Sequence, residues 1–255
     1  GEKCGGVLGG LASTAQQGII VTRCFNTADI TAQGGVIGAS DLLVMGVNGT
    51  TINQNLHIIK DCANTGNVTC SHSSMGGVIG YATHLNLDNC YNTGLVTSTN
   101  SQKNTGGVIG NAVSSVNITN SYCDATTALP LIGKGGTVDS ASKVMPSESF
   151  ANGEICYLLN TGEETVWYQT LNDDSTPTLD STHKRIYYIK DVYCNALIGD
   201  VNLNGEVNIS DVTALINIVL GKSNDTYGTA DLNADGNIDI SDVTKLVNII
   251  LDKNN

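Results

Sequence analysis

The feature that most constrains the fold is a short glycine-rich string that recurs along the first half of the chain. Gly-Gly-Val, then Ile or Leu, then Gly begins at Gly5, Gly34, Gly76 and Gly106, at intervals of 29, 42 and 30 residues. Recurrence at such intervals is typical of a fold assembled from copies of one structural unit. A unit of this size cannot bury its own apolar face, so successive copies must stack on one another.

A second string follows each of the first three copies. It reads Cys-Phe-Asn-Thr from Cys24, Cys-Ala-Asn-Thr from Cys62 and Cys-Tyr-Asn-Thr from Cys90. A degenerate fourth copy runs from Ser121 to Asp124, and the longest unit carries an insertion at 40–55. Stacking in register would place the three cysteines above one another. We expect them to be free, buried thiols, because Cys is small and apolar enough to sit inside a strand ladder.

The composition of one unit favours strand, turn and strand. Leu85, Leu87 and Cys90 are apolar and separated by polar residues, which indicates one inward face. Asn92 to Gly94 predicts a turn, with Gly suited to a positive φ, and Leu-Val-Thr then resumes residues typical of strands. The first 145 residues are therefore expected to be mostly β.

Residues 4–133 carry both strings and resemble the GLUG repeats of secreted and surface proteins of bacteria, including gut Bacteroidetes. The resemblance implies a β-solenoid, similar to a parallel β-helix, over residues 1–145. Some immunoglobulin A-cleaving metallopeptidases carry such repeats, but a zincin needs His-Glu-x-x-His. None of the four histidines lies in that motif.

Charge is distributed unevenly along the chain. Residues 1–145 carry 7 acidic and 6 basic side chains, residues 146–199 carry 8 and 3, and residues 200–255 carry 9 and 3. No basic stripe is present, so we expect no nucleic-acid partner. No apolar run reaches the roughly 18 residues of a membrane span. The chain begins inside a repeat without a signal peptide, so we expect export signals to lie upstream.

The segment 146–195 breaks the repeat and holds the single Trp. The sequence predicts a short helix with Asn152 as its N-cap and strands at 166–171 and 185–189. We expect this segment to cap the open end of the solenoid. The alternative is a sugar-binding platform built on Trp167 and the neighbouring tyrosines.

Two twelve-residue loops predict calcium sites near the C-terminus. They run from Asp200 to Asp211 and from Asp231 to Asp242. Calcium takes six to eight oxygen ligands, and loops of this kind supply them from fixed positions around a glycine at position 6. The candidate ligands are Asp200, Asn202, Asn204, Glu206, Asn208 and Asp211 in loop one, and Asp231, Asn233, Asp235, Asn237, Asp239 and Asp242 in loop two. Loop two holds more carboxylates, which predicts the tighter of the two Ca²⁺ sites.

Each loop is followed by one apolar helix, predicted at 212–220 and 243–251, and no helix enters loop one. Position 12 is Asp, where an EF-hand has Glu. This duplicated loop-helix pattern over residues 200–251 resembles a type I dockerin, within a C-terminal module of residues 196–255. We expect Val207 and Ile238, at position 8 of each loop, to join the loops through a short β-bridge.

The dockerin resemblance implies a cohesin domain as partner. The contact positions it implies are Ile209, Ser210, Ile216, Asn217, Ile240, Ser241, Val247 and Asn248. For Ile216 and Val247 the alternative is packing between the two helices. The two halves of the module are nearly identical, which predicts either two equivalent binding modes or no external partner. In the second case the segment 193–198 would cover Ile209 and Ile240.

The sequence thus predicts a mostly β protein, a β-solenoid followed by a small α/β cap and a small α calcium-binding dockerin-like module. The favoured function is a non-catalytic scaffold or adhesin, secreted or on the cell surface, with a glycan or host-surface molecule as a further candidate ligand. One alternative is an accessory region of a larger surface enzyme that degrades glycans or peptides. Another is catalysis by Asp61 and Asp88, which we expect at matching repeat positions.

Overall fold

A computed structural model describes residues 5–13, 18–42, 56–71, 73–99, 104–162, 164–189, 192–195, 199–202, 206–224, 229–233 and 235–252. We name three parts: the repeat stack (5–145), the middle segment (146–195) and the C-terminal module (199–252). The strands are β1 Leu8–Ser13, β2 Ile20–Thr22, β3 Phe25–Asn26, β4 Ile30–Thr31, β5 Ile37–Leu42, β6 His57–Lys60, β7 Ala63–Asn64, β8 Val68–Cys70, β9 Ser74–Gly76, β10 Ile79–Asp88, β11 Tyr91–Asn92, β12 Val96–Ser98, β13 Asn104–Gly106, β14 Ile109–Thr119, β15 Tyr122–Asp124, β16 Ile132–Lys134, β17 Thr137–Val138, β18 Lys143–Met145, β19 Tyr187–Ile189 and β20 Val192–Cys194. The helices are α1 Ser147–Ala151, α2 Glu154–Leu159, α3 Ile209–Val219 and α4 Ile240–Asp252, with a 3-10 turn at Ala125–Thr127. Among these residues, no helix is both long and apolar enough to cross a membrane.

Successive repeats pair with one another through parallel ladders. One sheet follows the order β1-β5-β10-β14-β16, a second follows β18-β15-β11-β7-β3, a third β12-β8-β4, and β13 pairs with β9. The glycine strings align in the same order, since Gly34 pairs with both Gly5 and Gly76, and Gly76 pairs with Gly106. The expectation of a mostly β chain whose copies stack is confirmed. Closure of the copies into a solenoid stays a prediction.

A column of asparagines explains the second glycine of the first three strings. Asn26 donates from Nδ2 to Oδ1 of Asn64, and Asn64 donates in the same way to Asn92, each at 2.7 Å. An amide can donate and accept at once, so identical amides can bond in a row. A Cβ on Gly77 would lie 2.1 Å from Cγ of Asn92, so only glycine leaves room for this column.

Cysteines stack beside the asparagines as the sequence predicts. Cys24, Cys62 and Cys90 are free, and the last two are buried. Cys24 is only half-buried, because it lies in the outermost described layer of its column, so the expectation of burial is wrong there. Ser121 continues the column and accepts the N–H of Cys90 at 3.0 Å.

The middle segment packs against the side of the stack, so the prediction of a cap over its end is wrong. Four successive layers present Phe25, Ala63, Tyr91 and Tyr122 at one register position. Those four side chains share a single hydrophobic cluster with Phe150, Ile155, Cys156, Leu159, Trp167 and Ile186. A cap would contact only the last layer, whereas this cluster spans four.

The local predictions for the middle segment are confirmed in part. A short helix, α2, begins at Glu154, and β19 at Tyr187–Ile189 lies within the predicted strand at 185–189. The prediction of Asn152 as N-cap is wrong, because Gly153 holds that position, although the N–H of Glu154 donates to the side chain of Asn152 at 2.9 Å. The predicted strand at 166–171 is wrong, since only Tyr168 pairs there, in an isolated antiparallel bridge to Thr178. Trp167 lies inside the cluster, where burial of a large ring outweighs strand pairing.

Candidate calcium and partner-binding module

Both loops of the C-terminal module end in a buried carboxylate that closes the loop on itself. Asp211 accepts the N–H groups of Asn202 at 3.0 Å and Asn208 at 2.9 Å. Asp242 accepts the N–H groups of Asn233 at 3.2 Å and Asp239 at 3.0 Å. An acidic side chain in the first turn of a helix also interacts favourably with the helix dipole. Position 12 is therefore held in place by the loop backbone.

The two loops repeat one hydrogen-bond pattern. Position 9, Asn208 or Asp239, accepts the backbone N–H of the serine at position 11 at 2.9 and 2.7 Å. Position 3, Asn202 or Asn233, donates to the hydroxyl of that serine at 2.6 and 2.8 Å. These bonds also lower the pKa of Asp239, chiefly through the side chain of Ser241. The duplication read from the sequence therefore extends to side-chain contacts.

Loop two contains an unsatisfied buried oxygen. Oδ2 of Asp231 accepts the N–H of Gly236 at 3.0 Å, while Oδ1 is buried and accepts no hydrogen bond. Gly236 has a φ of 86°, the sharp turn that position 6 requires. An orphaned carboxylate oxygen beside such a turn fits a hard cation. Asn204 and Gly205 of loop one lie outside the described residues, so the fit is tested on loop two.

The carboxylates of the two loops are not gathered around a single point among the described residues. Among the described residues, no three His, Cys, Asp or Glu side chains gather in a metal-binding group. Asp235 instead accepts the N–H of Asn237 at 2.9 Å and the amide of Asn233 at 2.8 Å. A calcium loop also uses amide and carbonyl oxygens, so the site residues predicted here remain candidates, with Glu206 and Asn237 expected to contribute at position 7.

The module has its own apolar core. Val212 and Leu215 of α3 pack with Val243 and Leu246 of α4. The expected β-bridge between the two loops does not form among the described residues. Val207 and Ile238 instead pack half-buried against the core, so apolar contact replaces strand pairing.

The predicted contact positions lie mostly on the outside of the module. Ile209 is 72% exposed and Ile240 is 69% exposed, and Ser210 and Ser241 are exposed beside them. No described residue covers either isoleucine, and 196–198 lie outside the described residues.

Further along the helices the two units differ. Ile216 is exposed, whereas Val247 is half-buried against the core. Asn217 is half-buried and Asn248 is exposed. The packing alternative therefore holds for Val247 and not for Ile216.

The aromatic sugar platform is wrong in its central residue. Trp167 is fully buried, with its ring 5.3 Å from that of Tyr91 and 6.5 Å from that of Phe25. No face of the indole is available to a sugar.

The prediction that Asp61 and Asp88 occupy matching repeat positions is also wrong, by one residue. Lys60 pairs with Asp88, and Asp61 lies one residue further, beside Asn89. Lys60 Nζ contacts Asp88 at 3.5 Å, and Asn89 donates to Asp61 at 3.2 Å. Each carboxylate has a partner of its own in a different column.

A polar column on the repeat stack was not singled out from the sequence. The residue that precedes each stacked Cys or Ser has a positive φ, at Arg23, Asp61, Asn89 and Asn120. Asn120 donates to Asn89 at 2.6 Å, and Asn89 in turn to Asp61. The signal was present in the sequence as the position before Cys in the second string.

Comparison with known families bears on the C-terminal module. Residues 198–251 match the model of the dockerin type I domain family. No curated protein and no solved structure matches the chain. The match agrees with the paired loops, the buried Asp at position 12 and the single helix after each loop. Residues 198–251 of the C-terminal module are thereby identified as a dockerin type I domain.

Proposed function

We propose that this chain is a non-catalytic extracellular or cell-surface scaffold that attaches to a cohesin-type domain through its C-terminal module in the presence of calcium. The repeats, as coils of a β-solenoid, would form the rigid body that the module attaches. The observation that carries the proposal is the pair of exposed Ile-Ser faces at Ile209 and Ile240, on a domain that matches the dockerin type I family.

Calcium binding is supported by the loop chemistry. The orphaned oxygen of Asp231 and the buried position-12 carboxylates provide hard oxygen ligands in both loops. In loop one Asp200, Asn202, Asn204, Glu206, Asn208 and Asp211 would hold the ion, and in loop two Asp231, Asn233, Asp235, Asn237, Asp239 and Asp242 would do so. A bound cation would neutralise carboxylates that otherwise repel and would fix each loop against its helix.

Partner binding is supported by surface chemistry. Interface cores are depleted in charged residues, and the Ile-Ser pair of each loop-helix unit is uncharged and exposed. The loop contacts are equivalent in the two units, which favours two related binding modes. The helix contacts are not, because Val247 packs inward while Ile216 remains exposed. We therefore expect the face at Ile209 to bind somewhat more tightly.

A non-catalytic role is supported by the separation of the acidic groups in the repeat stack. General acid-base chemistry needs titratable groups within reach of one reacting atom. Asp88 instead pairs with Lys60 and accepts the hydroxyl of Thr119 at 2.8 Å. Asp61 lies in the neighbouring column.

Binding of the full chain to cohesin domains of the source organism, in calcium and in chelator, tests the proposal. Binding should require calcium. Ser210→Arg should weaken it by about tenfold or less, because the second face remains. Ser210→Arg with Ser241→Arg should abolish it, since a buried unpaired charge costs several kcal/mol.

Ser223→Arg, at an exposed serine outside both faces, is the matched control and should bind normally. Absence of binding to every cohesin tested, or binding that persists in chelator, would refute the proposed attachment. Abolition by Ser210→Arg alone would refute two faces while leaving attachment intact.

A further inference from the structure

A polar cleft of about 410 Å³ lies where the repeat stack meets the middle segment. Its stack side carries Arg23, Lys60, Asp61 and Asn89, and its other side carries Glu164. Small-molecule sites fall in the range of roughly 300–1,000 Å³. The cleft is therefore large enough for a ligand of one or two sugar rings.

Two residues of the cleft, Arg23 and Asp61, differ from the asparagines that occupy the same column in the other layers. In the column with positive φ, Asn89 and Asn120 are the residue type that tolerates a left-handed backbone. Arg23 holds a φ of 56° in the same column, although a long side chain is disfavoured in that conformation. Asp61 is tolerated there but replaces a neutral amide with a carboxylate. Both departures line the cleft, and strained backbone persists preferentially at functional sites.

Both cationic side chains of the cleft already have an anionic partner. Arg23 Nη2 lies 2.8 Å from Glu164 Oε2, and both side chains are largely exposed. Lys60 is paired with Asp88. A guanidinium has five N–H donors and a carboxylate about four acceptor sites, so both keep hydrogen-bonding capacity beyond the pair. A charged ligand would have to break these pairs, whereas a neutral polar ligand can add to them.

The cleft has a polar floor and one apolar wall. Asp61 is only 4% exposed, and burial raises its pKa, which marks a carboxylate poorly supplied with hydrogen-bond donors from solvent. Leu159 and Val166 supply an apolar wall. Hydroxyl donors, hydroxyl acceptors and an apolar ring face occur together in a saccharide.

We infer that this cleft binds a neutral saccharide of one or two rings, with Asp61 and Asn89 at its floor and the Arg23–Glu164 pair at its rim. Ring hydroxyls donate to Asp61 and accept from Arg23, and the C–H face of the ring packs on Leu159 and Val166. The site is independent of the C-terminal module, so it stands or falls separately from cohesin attachment.

The test is calorimetric titration of the full chain with neutral sugars (glucose, galactose, mannose, N-acetylglucosamine, lactose and cellobiose) and with charged ones (glucuronate, N-acetylneuraminate and glucosamine). At least one neutral sugar should bind, and each charged counterpart should bind more weakly. Arg23→Asn with Asp61→Asn should reduce affinity about tenfold or more, because it removes two hydrogen-bonding charges.

The double variant is expected to fold like the unaltered protein. Asparagine is what the column already holds in the next two layers, and it relieves Arg23 of its unfavourable backbone conformation. The variant should therefore melt no lower than the unaltered protein. Lys134→Asn, at an exposed lysine outside the cleft, should leave affinity unchanged. Failure of every neutral sugar to bind, tighter binding of a charged sugar, or unchanged affinity in the folded double variant would each overturn the assignment.

Discussion

The repeat stack and the C-terminal module both consist of duplicated units, but equivalent residues contact one another in the stack and lie in separate loops in the module. In the stack, like residues lie directly on one another, as with Asn26, Asn64 and Asn92 at 2.7 Å. In the module, the matching residues include carboxylates at positions 1 and 12, and those of one loop do not stack on those of the other. The difference is chemical, because an amide donates and accepts whereas a carboxylate only accepts. Amides can therefore hydrogen-bond to one another in a row, whereas adjacent carboxylates repel unless a donor or a cation lies between them.

The same contrast accounts for the charge distribution. Residues 1–145 carry 7 acidic side chains, whereas the much shorter stretch 200–255 carries 9. Within the stack, a carboxylate in register finds a complementary partner, as Asp88 finds Lys60 and Asp61 finds Asn89. Parallel stacking thus limits acidic side chains to columns that supply a cation or a hydrogen-bond donor, whereas each loop of the C-terminal module holds several carboxylates.

The largest effect is expected from breaking the amide column at its centre. Asn64 is fully buried and donates to both Asn92 and the carbonyl of Gly66 at 2.7 Å. Asn64→Asp removes both donors and places acceptors against acceptors. We expect a loss of about 3 kcal/mol or more in the free energy of unfolding of the stack, because buried polar groups lose their partners.

Asn117→Asp is the matched control for that change, since Asn117 makes the same kind of amide contact to Asn86, at 2.9 Å, on the exposed surface. It should cost under about 1 kcal/mol, because water replaces the lost donor. Denaturant unfolding measures both. Equal losses would show that burial does not decide how the column stabilises the stack.

A second prediction concerns the order in which the stacked cysteines react with an alkylating reagent. Cys62 and Cys90 are buried and free, while Cys24 is free and half-buried, so a reagent in solution reaches Cys24 most readily. In the folded full chain, an alkylating reagent should modify Cys24 well before Cys62 or Cys90, and all three after unfolding. Peptide mass spectrometry reads the sites. Disulfides among the three, or equal rates in the folded state, would contradict the stacked column.

The smallest expected effect concerns pH. His183 Nδ1 lies 2.6 Å from Oδ2 of Asp174, and this hydrogen bond is the main reason that the pKa of His183 is raised. A raised pKa means that the contribution is fully present below about pH 6.5, the unfolded value, and is lost as pH rises through the folded pKa. Because the pair is near solvent, it should amount to less than about 1 kcal/mol.

His183→Gln should remove that pH dependence and leave the unfolding of the C-terminal module unchanged. Thermal melts at pH 5.5, 7 and 8.5, compared between the two proteins, provide the measurement. A variant that retains the same pH slope would show that another group causes it.

The sequence predicted the parts of the fold that depend on periodicity. Parallel stacking of the strings, the alignment of Cys24, Cys62 and Cys90, and the two loop-helix units all follow from repeated residues. It did not predict the side packing of the middle segment, although Phe25, Tyr91 and Tyr122 were large apolar residues at one repeat position. The sequence analysis assigned no face to them, and the structure shows that they pack against the middle segment.

The errors at the candidate sites have two causes, strand register and tertiary packing. Asp61 and Asp88 appeared to match, but a shift of one residue in a strand or corner moves a side chain to another column. The cleft was missed because Glu164 comes from a segment that lies beside the stack, 141 residues after Arg23 in the sequence. Only the tertiary packing brings Glu164 to Arg23.

Hydrogen exchange of the full chain in calcium and in chelator tests the central claim most directly, namely that one duplicated region needs a cation and the other does not. On chelation, the amides of α3 and α4 should lose protection, because the carboxylates of the loops are no longer neutralised. The amides of the stacked strands, such as β7, β10 and β11, should keep theirs. Unchanged protection in α3 and α4, or parallel loss in the repeat stack, would contradict the account.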